Sequence, residues 1–348
     1  MAGATSVAAD QSIRIATYAA PLSRDSPALL LRDILKADDP QIAAVGRIIT
    51  HVAPDILVLT DFDFDANLAA LGAFSDSLAV PYPHLYAALP NTGRQTGLDL
   101  DANGYRGDAR DAVGYGRFLG DGGIAILSRY PVLSAEVVDL SDVLWREVPG
   151  HVLPQRDGTL FPDAAAFDSL PVSSNAHWMV PVVVGQTRLT LLAFDATAPV
   201  FDGPEDFNGL RNRDELRLWE AALTGHFGPA PVNPVLIGNA NADPNDGEGV
   251  RAGISALLDH PALQPTNPAS LGAVEAADDW HTGPPRHDTA DWPDDGPGNL
   301  RVSYVVPSAN LRVLDQGVFW PPESDPLAQL LEGTGPHRLV WIDVAVPP

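Results

Sequence analysis

The chain has 348 residues, 45% of them hydrophobic, which is enough to bury a large core in one α/β domain or two smaller ones. Its 45 acidic residues against 21 basic ones leave a formal net charge of -24, a surface that repels phosphate backbones and argues against nucleic acid as a partner. Cysteine is absent, so disulfides, thiol nucleophiles and Cys-ligated zinc or iron-sulfur sites are excluded, and oxygen and imidazole chemistry remain.

No apolar run approaches the ~18 residues that a membrane span needs. The start, "MAGATSVAADQSIR", lacks the basic and apolar regions of a signal peptide, while Val7-Ala8-Ala9 resembles the small-residue site where an export signal is cut. An extracellular or periplasmic location is therefore expected, with residues 1–11 as an N-terminal tail and 12–348 as a single domain.

In chain order, the pattern predicts a strand over 13–18, a helix over 42–51, a strand over 56–60 and a helix over 66–77. Strands follow over 123–128, 179–184 and 187–194, then a helix over 213–225 and strands over 235–237, 300–306 and 339–344. Each strand is a short β-branched or apolar run bounded by Gly, Pro, Asp or Asn. Strands and helices alternate without a βαβ rhythm, which favours a mixed sheet or a pair of sheets with helices outside. The segments 82–121, 147–174 and 262–298 are long, irregular and rich in Pro, Gly and Asp, and their Trp and Tyr content points to ordered loops.

Three constellations carry chemistry of their own. "DLDANG" sets Asp99, Asp101 and Asn103 at alternate positions before Gly104, the opening half of a calcium loop, but its twelfth position is Arg110; Asp108 or Asp111 would complete a shorter site, and a turn closed by its own side chains is the alternative. His281 and His287 flank Pro284-Pro285 near Asp288 and Asp291, a zinc pair without a firm third ligand. "FDGPEDFNGLRNRDE", from Phe201, has the density of opposite charges that suits a hydrogen-bonded loop bracing a site rim.

Seven phrases in order, "IRIATYAA", "PDILVLTDFD", "GGIAILSRYP", "LTLLAFDATAP", "VLIGNANADP", "LRVSYVVPS" and "GPHRLVWIDV", together resemble the endonuclease/exonuclease/phosphatase (DNase I-like) superfamily over nearly the whole chain. "NTGRQTGLDLDANG", "SSNAHW" and the Phe201 segment resemble a bacterial, often exported branch of it. The resemblance implies a four-layer α/β/β/α sandwich of two mixed sheets, a site at strand ends along one edge, and one or two divalent metals such as magnesium held by Asp, Glu and Asn beside an Asp-His pair.

The phrases depart from such enzymes at the positions that matter. Ala19 stands where the family has a metal-site asparagine, Asp61 where it has the principal glutamate ligand, and Asp195 where it has a catalytic histidine. The Asp-x-Asn motif is here Asn239 and Asn241, and Ser303 and Pro336 replace two further aspartates, the second beside a retained His337; in "SSNAHW" the acid expected after Trp178 is Met179. The residues left for the metal are Asp61, Asn241 and Asp195, with magnesium or calcium as the ion. Asn239 cannot take a proton, and His337 lacks its usual carboxylate partner. The reading is a catalytically inactive member, a pseudoenzyme that acts by binding a protein or a small phosphorylated ligand, or by assembly. The alternative is a metal-dependent phosphoesterase using Asp61, Asp195 and Asn241 as ligands and His337 as acid or base. Either way, Ala19, Asp61, Asn239, Asn241, Ser303 and His337 are expected in one cleft.

Overall fold

A computed structural model describes residues 11–347. From Gln11 the order is β1 (Gln11–Leu22), α1 (Leu29–Lys36), α2 (Pro40–Val52), β2 (Ile56–Phe62), α3 (Ala69–Ser77), β3 (His84–Tyr86) and β4 (Gly123–Ser128). The middle of the chain forms β5 (Val138–Asp139), β6 (Gln155–Arg156), β7 (Thr159–Leu160), β8 (His177–Val184), β9 (Thr187–Asp195) and α4 (Phe207–Leu223). The last third holds β10 (Pro234–Asn239), α5 (Arg251–Leu258), α6 (Leu271–Glu275), β11 (Ala290–Asp291), β12 (Asn299–Leu300), β13 (Ser303–Pro307), β14 (Arg312–Val318) and β15 (Val340–Val346).

Two large sheets result, one of six strands in the order β14-β15-β1-β2-β4-β3 and one of five in the order β13-β10-β9-β8-β5. Both are mixed: β1 with β2 and β9 with β10 run parallel, and the other neighbours run antiparallel. Side chains of a strand alternate between faces, and that alternation separates three cores. Ile13, Ile15, Ile56 and Val58 of the first sheet meet Leu189, Leu191, Ala193 and Ile237 of the second. Behind the first sheet, Ala16, Tyr18, Leu57 and Leu59 pack on Ile34, Val45, Ile48 and Phe74 of α1, α2 and α3. Behind the second, Leu192, Phe194 and Leu236 pack on Leu216, Trp219 and Ile254 of α4 and α5. Helix, sheet, sheet, helix is the four-layer sandwich expected from the sequence.

Differences from the sequence reading have local causes. The strand expected over 300–306 is broken at Arg301-Val302, because Arg301 N donates to Asp243 Oδ2 and Val302 N donates to Thr289 Oγ1 instead of to a sheet partner. The helix expected from 66 starts at Ala69, since the Asp65 carboxylate accepts the amides of Asn67, Ala69 and Ala70 and so takes the capping role. The charged segment from Phe201 is not a loop throughout: from Phe207 it is the first half of α4, whose Arg211, Asn212, Asp214 and Glu215 are buried. Polar residues on a buried helix face conceal the apolar periodicity from which a helix is read. Residues 1–10, with most of the expected tail and Val7-Ala8-Ala9, lie outside the described residues. Gln11 already belongs to β1, opposite Val346.

Candidate functional site

β2 does not run smoothly to its end. Its register against β4 shifts between Leu59 and Phe62, and against it β1 shifts between Ala19 and Leu22. Within this bulge Asp61 adopts a left-handed backbone, φ 62°, a conformation in which non-glycine residues are strained and which recurs where a side chain is re-aimed at a site. Asp61 accordingly lines a cleft of about 840 Å³, together with Asp195 and Asn241. Burial pushes the Asp61 carboxyl up to about 7, helped by the charges of Asp63 and Asp121, while a Ser23 hydrogen bond opposes the rise. Asp63 is pushed up to about 6 by burial, although its oxygens accept the amides of Gly122 (3.1 Å) and Arg24 (2.9 Å).

On the second sheet, Asp195 closes β9 beside Asn239 at the end of β10, and Asn239 pairs in turn with Ser303 of β13. Asn239 Nδ2 donates to Asp195 Oδ1 at 3.1 Å, and Asn175 Nδ2 donates to Asp195 Oδ2 at 2.9 Å while also reaching Gly122 O at 2.8 Å. Burial, then the charge of Asp61, pushes Asp195 up to about 7 in spite of those two donors. Asn241, also left-handed at φ 49°, is tied by Nδ2 to Ala196 O at 2.8 Å. Asn175 was not among the residues singled out from the sequence, although it lies in the quoted "SSNAHW"; nor was Asp63, two positions beyond Asp61.

α4 fixes the loops that present these groups. Glu215, fully buried, accepts Ser174 N and Oγ at 2.7 Å and Thr197 N at 2.6 Å. Arg211 donates to the carbonyls of Pro171, Val172 and Ser173, and Asn212 donates to those of Thr197 and Ala240. One helix thus holds the segments carrying Asn175, Asp195 and Asn241 through hydrogen bonds to their backbone.

The other expected residues are placed differently. Ala19 is buried opposite Thr60 in the β1–β2 ladder, and Ser303 is buried with no hydrogen-bond partner for its Oγ. His337 does not line the cleft. Its ring meets Trp292 edge-on at 5.2 Å, its Nδ1 is buried without a partner, and burial lowers it to about 4. His177 is a core residue between Phe194 and Trp219, with Nδ1 2.8 Å from Ser173 Oγ, and burial lowers it to about 3. His287 Nδ1 faces Pro268 O, whereas His281 lies 3.4 Å from Asp278, so the two histidines have separate partners.

The "DLDANG" turn is closed from within. Asp99 accepts the amides of Asn103 and Gly104, and Asn103 Nδ2 bridges Asp101 and Asp108. Asp99, Asp101 and Asp111 each bring a carboxylate oxygen within 4.8 Å of the others, but the Asp111 oxygens also accept the amides of Leu100 and Gly107. Leu100 and Asp101 lie on the wall of the same cleft as Asp61.

Asp61, Asp195 and Asn241 offer oxygen donors on the cleft wall, which suit a hard cation such as magnesium or calcium. Asp61 and Asp195 act on each other as like charges, and Asn175 Oδ1 is buried without a donor. The residues therefore fit a divalent ion held by Asp61, Asp195 and Asn241, which would offset that repulsion and polarise a phosphoryl oxygen. Among the described residues, the cleft is lined by no histidine or lysine; its cations are Arg110, Arg117, Arg156 and Arg211.

No helix among the described residues is long and apolar enough to cross a membrane. No curated protein matches this sequence. Among solved structures, the chain resembles an endonuclease/exonuclease/phosphatase from Beutenbergia cavernae (16% identity, TM-score 0.51, covering 97% of this chain and 72% of that one). It also resembles endonuclease/exonuclease/phosphatase family proteins from Leptotrichia buccalis (13%, TM-score 0.52, 95% and 98% covered) and Bacteroides thetaiotaomicron (11%, TM-score 0.52, 97% and 98% covered). These likenesses are of fold. The model of the Endonuclease/Exonuclease/phosphatase family matches residues 32–325, from within α1 to beyond β14 and including every cleft residue named above except Ser23, and on that match the chain belongs to this family.

Proposed function

We propose that the chain binds a small phosphorylated molecule in this cleft and does not turn it over. The carrying observation is that no imidazole of the described residues lines the cleft, while Asn239 presents an amide donor to Asp195 where the family resemblance implies a proton acceptor. Removing a general acid or base lowers rates by about 10²–10⁴-fold, and here Asn239, Asp195 and Pro336 stand where the resemblance implies an aspartate, a catalytic histidine and an orienting carboxylate, while the retained His337 does not line the cleft. Binding capacity is retained. Arg110 lines the cleft and its guanidinium makes no hydrogen bond with a described residue, leaving it free for an anion. The mean charge of the chain disfavours a long phosphate backbone and leaves a compact phosphate ester as the better fit.

A second reading, a metal-dependent phosphoesterase with a rewired site, is favoured by the opposed Asp61 and Asp195 carboxylates, both pushed to about 7 and able to carry a proton near neutrality. One experiment separates the two. A generic phosphodiester and a phosphomonoester are offered with magnesium, manganese and calcium, and no metal-stimulated hydrolysis is expected from the native chain. The combined change Ala19→Asn, Asp61→Glu, Asp195→His, Asn239→Asp, Ser303→Asp and Pro336→Asp should strengthen metal binding, seen as a larger magnesium-dependent rise in melting temperature than the native chain shows. Robust native hydrolysis that disappears on Asp61→Ala or His337→Ala would overturn the inactive reading in favour of the second.

A further inference from the structure

Two aromatic rings at the cleft are exposed on backbone that is held rigid. Tyr115 lines the cleft with 64% of its surface accessible, yet its flanking glycines are pressed into the scaffold. A Cβ on Gly114 would lie 1.7 Å from Ser174 O, and one on Gly116 would lie 2.5 Å from Gly93 N, so only glycine permits this close approach. Ser174 is the residue whose amide and hydroxyl are gripped by Glu215, which ties the Tyr115 backbone to the same brace that holds Asn175.

Phe201 is 81% exposed and also lines the cleft, and its backbone is left-handed at φ 69°. That conformation is costly for a bulky residue and persists only where the surroundings enforce it. Asn208 does so from both sides: its amide N–H donates to Asp202, and its Nδ2 donates to Val200 O at 2.6 Å. A strained turn of this kind is ordinarily filled by glycine or asparagine, and folding has no use for a ring that is four-fifths in water. The turn also serves α4, whose Asn208 it receives, but an exposed apolar ring held on strained backbone in a cleft wall is the pattern of a ligand clamp.

From these observations we infer that Tyr115 and Phe201 form a preorganised aromatic clamp for a planar ring carried by the phosphorylated ligand. The ligand class is thus a phosphate ester whose organic part contains an arene or a heterocycle. The phosphate lies toward Arg110 and the carboxylate centre, and the ring lies at the mouth. Stacking suits such a group because it tolerates any π-face, and rigid aromatic anchors lose little entropy on binding. The inference rests on the proposed phosphoryl-binding role of the cleft.

The test is calorimetry at constant magnesium with methylphosphonate, phenylphosphonate and adenosine 5′-monophosphate, on the native chain and on Tyr115→Ser and Phe201→Gly. The expected result is that a ring-bearing probe binds roughly tenfold tighter than methylphosphonate, and that each variant removes most of this preference while leaving methylphosphonate unchanged. The two ring-bearing probes distinguish a simple arene from a nucleobase. Phe201→Gly should keep or raise the melting temperature, because glycine adopts this backbone without strain, so loss of binding is not loss of fold. Equal affinity for all three probes, or a ring preference untouched by both substitutions, would overturn the clamp alone. Binding of none of them would overturn the phosphoryl-binding reading and the clamp with it.

Discussion

Asp195→Asn tests whether the cleft is a site of stored electrostatic strain. The carboxyl is raised from 3.8 to about 7, chiefly by burial and next by the charge of Asp61. At 1.36 kcal/mol per pKa unit the ionised form above pH 7 therefore opposes folding by about 4 kcal/mol. That is an upper limit, because Asp195 is only part-buried at the cleft wall and titrates together with Asp61. Asparagine keeps the shape, removes the charge and retains one acceptor oxygen, so either Asn175 or Asn239 loses its partner, a loss of about 1 kcal/mol. The sign follows from proton counts. Between pH 4 and 7 the folded chain holds a proton that the unfolded chain has released, so stability falls as pH rises through that window and then levels. Chemical denaturation in chelator should find the variant more stable than the native chain by about 2 kcal/mol at pH 8 and close to it at pH 5. A variant that is less stable at pH 8, or whose advantage does not change with pH, would refute the buried-charge account of the cleft.

Glu215→Ala should destabilise by about 3–5 kcal/mol in the same assay, since it strands three donors on Ser174 and Thr197 and leaves the buried Arg211 charge without its counter-ion; Glu215→Gln should lose less. Gly114→Ala places a methyl against Ser174 O and should lower stability by about 1–3 kcal/mol or more, with earlier proteolytic cleavage in the segment 93–121 as a second readout. Calorimetry with calcium on the native chain and on Asp101→Ala tests the Asp99, Asp101 and Asn103 loop: a calcium heat confined to the native chain supports it, and equal heats from both remove it. Adding magnesium to native protein at pH 8 should recover part of the stability that pH removes, and Asp61→Asn should abolish that recovery.

The framework of the fold was legible because it is written in local pattern. β4 has the bounds read from "GIAILS", and β2, β8, β9 and β10 each contain the apolar run expected of them, since a strand buried on both faces is a short continuous hydrophobic stretch in any context. β14 was missed for the opposite reason. Its "RVLDQGV" lies at a sheet edge with only Gly317 and Val318 buried, so its sequence has little apolar pattern and its pairing with β15 is set by tertiary contact. α4 was recognised only from 213, because the buried positions before it are Gly209, Arg211 and Asn212 in place of large apolar residues.

The sequence by itself determined which chemistry particular positions cannot supply. Residue identity suffices to establish that the Asn239 side chain cannot take a proton, that Ala19 has no side-chain ligand oxygen and that no thiol is present. Only the tertiary structure decided which of the remaining groups meet. His337 follows a quoted motif as closely as Asp61 does, yet packing on Trp292 keeps it off the cleft wall, while the β2 bulge turns Asp61 into it. Asn175, distant in sequence from Asp195 and Gly122, reaches both through one amide nitrogen because Glu215 anchors the loop that carries it. Convergence of this kind depends on sheet register, a bulge and buried hydrogen bonds between segments far apart in the chain, and none of these is encoded in the neighbours of any single residue.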